Sequence, residues 1–241
     1  MENQLPDYTN VIQIDEVDSS RKFLANVFLW MFVALGISSA LAYTFANDQA
    51  LKDLLINPAT GQTTGLAFIA MLSPLAFVLI MSFGINKISY VGLSVLFVAY
   101  SAATGISLSF ILWAYATSSV VGVFLTSSLV FGVMAVAGYT TKTDLTKFGS
   151  IMMMLLVGII IASVVNYFMH SAGLDMIISY IGVAVFVGLT AYDVQKLKRI
   201  GAGLEYGDAS SKKMALMGGL TLYLDFINLF LFMLRIFGRR R

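Results

Sequence analysis

Long apolar runs alternate with short polar breaks along the chain after residue 20. The runs cover 23–46, 65–83, 88–112, 118–139, 148–169, 176–195 and 214–236. A helix of about 20 residues crosses a bilayer core of roughly 30 Å, and each run meets that length. None shows the ten-residue alternation of barrel strands. The pattern predicts an all-α integral membrane protein with seven transmembrane helices. Most connections are short. The two longer ones are 47–64, where Asn57-Pro58 and Gly61 signal a turn, and 196–213. Residues 1–20 are expected as a disordered acidic tail and 21–241 as the membrane domain. The first run is too long for a cleaved leader and reads as a retained span.

Composition sharpens this picture. Only 12% of the 241 residues are charged and 59% are hydrophobic, against roughly 25% charged in a soluble domain. So little charge cannot cover a water-facing surface; a lipid-facing bundle needs no such cover. A net charge of +2 gives no basic patch for nucleic acid. There is no cysteine and one histidine, His170, which excludes thiolate chemistry and leaves little for a histidine metal site.

Lysine and arginine placement sets an orientation. With the N-terminus in the cytoplasm, Arg21, Lys22, Lys87, Lys142, Lys147, Lys196, Lys198, Arg199, Lys212 and Lys213 lie inside, and Lys52 alone among the loops lies outside. The last run is the exception. If it crosses fully, Arg235, Arg239, Arg240 and Arg241 lie outside; if it is re-entrant, they lie inside. Its length favours a full crossing.

The informative residues are those a membrane tolerates poorly. An ionised aspartate at mid-span costs about 2.5–3.5 kcal/mol. Asp225 is the one acidic residue deep in a run, and Asp193 lies near the inner end of the sixth. Gly218, Thr221, Asp225, Asn228 and Arg235 fall on one face of the seventh helix, which should turn away from lipid. Two carboxyls held together share a proton more cheaply than both ionise. Asp193 and Asp225 are therefore the candidate site: a protonated pair bonds two helices, and an ionised pair repels and attracts a hard cation such as Ca²⁺. The competing reading is a buried aspartate that fixes packing through neighbouring hydroxyls. Pairing requires the seventh helix to start below the membrane edge or to tilt.

Other signals read as structure. Asn26, the Ser163, Asn166 and His170 face, and the segment from Ser101 to Ser107 suit interhelical packing and hydrogen bonds. Pro74 frees a carbonyl in the second span and predicts a kink. The methionines, Met152 to Met154 included, read as core filler. His170 reads as a loop residue.

Two segments resemble a known family. Leu189-Thr-Ala-Tyr-Asp193-Val-Gln-Lys-Leu-Lys198 and Leu222-Tyr-Leu-Asp225-Phe-Ile-Asn228-Leu-Phe-Leu-Phe-Met-Leu-Arg235-Ile resemble the sixth- and seventh-helix signatures of the Bax inhibitor-1 family, its bacterial members above all. The resemblance runs from about residue 20 to 238. It implies six helices around a central seventh, a pH-dependent Ca²⁺ leak and a proton-sensing pair at Asp193 and Asp225. It also implies a link to a membrane-bound ATP-dependent protease, which the acidic tail would contact. Some members carry an arginine in the second helix near the pair; residues 65–83 here contain no charge.

The leading expectation is a passive, pH-gated cation leak with no cofactor; the alternative is a non-conducting modulator of a membrane protease. No phosphate-binding loop, nucleophile elbow or zinc-protease motif is present. A retinal protein would need a lysine deep in a span, and Lys212 and Lys213 precede theirs.

Overall fold

The computed structural model describes residues 9–204 and 208–241, with side chains from residue 18 onward. Its helices are α1 (Thr9–Asn47), α2 (Gln49–Leu55), α3 (Gly65–Gly84), α4 (Tyr90–Ala114), α5 (Thr117–Thr140), α6 (Thr146–Met169), α7 (Ala172–Ala202) and α8 (Ala209–Phe237). Among the described residues, all except α2 are long and apolar enough to cross a membrane. α1 reaches back to Thr9, into the segment expected as a tail; residues 1–8 lie outside the described residues.

Polar side chains set the helix starts. Thr64 accepts from the Ala67 N–H, Ser89 from Gly92, Ser171 from Leu174 and Asp208 from Ala209, so that donors left open in a first turn are satisfied. Asp48 starts α2, a short helix that the loop 47–64 conceals in the sequence. The turn expected at Asn57-Pro58 follows, with the Asn57 side chain accepting from Ala59 and Gly61 at φ +68°. His170 ends α6 in the left-handed conformation, φ 53°, and is exposed, as befits a loop residue.

The chain ends fix the sidedness of the bundle. Ser20 at the base of α1 bonds the Lys198 carbonyl near the end of α7, and Lys213 in α8 bonds the Ile85 carbonyl just past α3. At the opposite face, the backbone around Arg239 to Arg241 pairs with Ala114 and Ala116 between α4 and α5. α8 therefore crosses the full thickness, and the C-terminal arginines lie on the face opposite the base of α1.

α8 is the most enclosed span: 56% of its apolar stretch is buried, against 11% for α6. It packs against α1, α4, α5 and α7. Phe226 is central, meeting the rings of Phe124 and Phe131 edge to face. α3 packs on α4 and α6 on α7, as outer flanks. The contacts of α8 are thus chiefly with four of the other six spans, and α3 and α6 stay apart from each other. The reason is physical: lipid tails are as apolar as the side chains of α3 and α6, so no hydrophobic force draws these two together. Close approach inside the bundle uses small residues instead. At Gly105, a Cβ would stand 2.6 Å from the Ser38 carbonyl oxygen of α1, and only glycine lets the two backbones meet there.

Pro74 does not end α3. Its missing N–H leaves the Ala70 carbonyl open, and the Ser107 hydroxyl of α4 bonds that oxygen at 2.6 Å, with Ser73 at 3.3 Å. The polar face of α4 is thus an interhelical contact.

Candidate functional site: a carboxyl pair on the floor of a cleft

α7 and α8 run antiparallel, joined through the connection after Ala202. Both extend past the ends of their apolar runs, because helical hydrogen bonding continues into the polar flanks. α8 starts at Ala209, five positions before the apolar run begins, and this meets the requirement for pairing. Asp193 and Asp225 face each other within hydrogen-bonding reach. Asp193 is 8% exposed and Asp225 5%.

Nearby hydroxyls and one amide N–H are already committed. Thr190 donates to the Phe186 carbonyl, Thr104 to Tyr100, Thr221 to Met217 and Asn228 to Leu224. Ser38 donates to the Ser101 carbonyl, so in its 2.7 Å contact with Tyr223 the phenol is the donor. That bond directs the Tyr223 hydroxyl toward α1. Oδ2 of Asp225 is buried with no hydrogen-bond donor among the described residues. Two carboxylates are acceptors only, and a buried acceptor without a donor is costly. A proton held by one of the two carboxyls would satisfy it.

The other charged group at the site is Lys196, one turn along α7 from Asp193, with its Nζ 6.0 Å from the Tyr192 ring centroid. α4 contributes Tyr100 and Thr104. α3 presents Met71, Pro74, Leu75 and Val78, so its wall has no cation.

Together these residues border a cleft of about 1350 Å³ between α3 and α6, floored by α7 and α8. The polar stripe expected on α8 divides. Thr221, Asp225 and Asn228 line the cleft. Gly218 packs against Val27 and Leu197. Arg235 leaves the stripe and pairs with Asp175 of α7 at 3.0 Å.

Lys196, Asp175 and the cleft are features that periodicity did not single out. Asp175 follows the Ser171 cap in the first turn of α7, where an acid is ordinary, and Lys196 resembles any interfacial lysine. At the face bearing the base of α1, Gln195 accepts from the Leu145 N–H and donates to the Thr143 carbonyl, tying the α5–α6 connection to α7. Arg199 bonds Asp144 at 2.9 Å beside it.

A seven-span helical membrane protein with a carboxyl pair between its last two helices is the class these features define. The family model described as "Inhibitor of apoptosis-promoting Bax1" matches residues 20–241. The chain is 44% identical over 222 residues to "Inner membrane protein YbhL" of Escherichia coli, covering 91% of this chain and 92% of that protein. It is 44% identical over 227 residues to an uncharacterized protein of Borreliella burgdorferi, covering 94% and 95%. A Rickettsia prowazekii protein is 37% identical over 221 residues, covering 92% and 91%. The chain belongs to the Bax inhibitor-1 family.

Proposed function

We propose that this protein is a passive, pH-sensitive cation leak of the bacterial inner membrane, with the proton shared by Asp193 and Asp225 as its gate and Ca²⁺ as its permeant ion. The observation that carries the reading is the buried Asp225 oxygen with no donor but the opposing carboxyl. With the proton in place, one hydrogen bond joins α7 to α8. Without it, two like charges face each other in a poorly solvated site, and the helices separate or admit a cation. The wall of α3 offers no arginine as counter-charge; Lys196 is the cation near Asp193, and Tyr100, Tyr167 and Tyr192 are the other titratable groups on the cleft.

Two carboxylates supply fewer oxygens than the about six to eight that Ca²⁺ takes, so water completes the shell. The contact is a stepping point for a moving ion. We place the base of α1, with the ends of α5 and α7, in the cytoplasm. Ten of the chain's basic residues fall on that face, and five (Lys52, Arg235, Arg239, Arg240 and Arg241) fall on the other. Ca²⁺ entry into liposomes across a pH series, with and without the Asp193→Asn and Asp225→Asn substitutions, tests the reading.

A further inference from the structure

The cleft is larger and more apolar than a cation path needs. Its volume of about 1350 Å³ exceeds the roughly 300–1,000 Å³ of typical small-molecule sites. Leu75 on α3 and Ile160 on α6 border it and are 63% and 55% exposed, so its mouth faces the bilayer side of the bundle. Tyr167 and Phe168 lie toward one end and Lys196 toward the other. Its charged groups all lie on the floor, and Asp225 there carries a buried oxygen with no donor among the described residues.

We propose that this cleft binds amphiphilic organic cations, molecules with a hydrophobic body and one protonated amine, which enter sideways from the membrane. The inference rests on the pair being an open acidic site, as in the function proposed above, but not on conduction. The chemistry selects this class. Apolar walls favour an apolar body drawn from lipid, where such molecules already concentrate. The amine N–H takes the place of the shared proton as donor to Asp225, and its charge meets that of the ionised pair. A neutral amphiphile brings no such charge, and an anion is repelled. Lys196 disfavours a second amine at its end, so the ammonium seats beside Thr221 and Asn228 while ring systems reach Tyr167 and Phe168.

The test is equilibrium binding of tritiated imipramine to the full chain in phosphatidylcholine nanodiscs, without Ca²⁺ or any gradient. The proposal expects saturable binding above empty nanodiscs. The neutral tricycle iminodibenzyl should compete at least about tenfold less well, and Asp225→Asn should weaken binding by a similar factor, as for a lost buried charge pair. Ile160→Trp fills the cleft from the lipid side without touching the pair and should also weaken it; an unchanged Tm shows that it folds. Non-saturable uptake equal to empty nanodiscs, equal competition by iminodibenzyl, or full binding by a folded Ile160→Trp variant would each overturn the proposal. Binding with no Ca²⁺ flux would retire the leak and leave this site standing; flux without binding would do the reverse.

Discussion

Arg235 donates to Asp175 at 3.0 Å, joining α8 to α7 toward the face opposite the base of α1. The same two helices thus meet through an attractive pair there and through the two aspartates deeper in the bundle. The first contact joins opposite charges, and the second brings together two groups of the same kind. In the proposed gate, separation of α7 from α8 is confined to the part that holds Asp193 and Asp225.

Removing the Arg235–Asp175 pair should cost little stability, because both partners are more than a third exposed and such pairs are worth about 0–1 kcal/mol. A double-mutant cycle with Arg235→Gln and Asp175→Asn, read by thermal unfolding in detergent, should return a coupling in that range. The pH midpoint of Ca²⁺ flux should be unchanged. A shifted midpoint would mean that the two contacts are not independent.

Ser107→Ala should destabilise the fold by about 1 kcal/mol, the upper part of the range for interhelical hydrogen bonds in membranes. It leaves the Ala70 carbonyl with Ser73 alone at 3.3 Å. Adding Pro74→Ala restores the N–H that this carbonyl would bond within the helix, and should recover most of the loss. If Pro74→Ala instead deepens the loss, the proline has a role beyond this carbonyl.

Tyr223→Phe should cost about 1 kcal/mol for the bond to Ser38 and leave the pH response of flux intact. The Tyr223 hydroxyl is spent on α1 and not on the carboxyl pair. Flux measured across pH on this variant checks the donor assignment at the site: a lost or displaced response would show that the phenol serves Asp225.

Asp144 supplies a control for the pH response. Bonds from the Thr146 hydroxyl and N–H, then from Arg199, hold its carboxyl at about 2. A lowered folded value means its contribution is present above the usual carboxylate range and fades only as pH falls toward 2. Asp144→Asn should therefore leave any response between about pH 6 and 8 unchanged. A change in flux midpoint there would locate a sensor at the α5–α6 connection.

Much of this was legible in the sequence, for identifiable reasons. A span must be apolar over its whole length, so the seven runs stood out, and their ends moved most where α1, α7 and α8 continue as helix into polar flanks. Asp225 was conspicuous because nothing else charged lies so deep. The shape of the packing was not legible. α3 and α6 read like the other spans, and no local pattern tells that they flank the bundle and leave a cleft between them. α2 was hidden because seven residues carry too little periodicity. Arg235 was read with the α8 stripe by its spacing, but its long side chain reaches Asp175 instead.

The central claim is that one proton between Asp193 and Asp225 gates a passive Ca²⁺ path. The most direct measurement is Ca²⁺ entry into liposomes holding the purified protein, without ATP, across a pH series. The account predicts flux that rises with pH as the bond between the carboxyls is lost, and Asp193→Asn and Asp225→Asn variants whose flux no longer follows pH. Entry no greater than in empty liposomes at every pH, or a pH response that survives both substitutions, would contradict it.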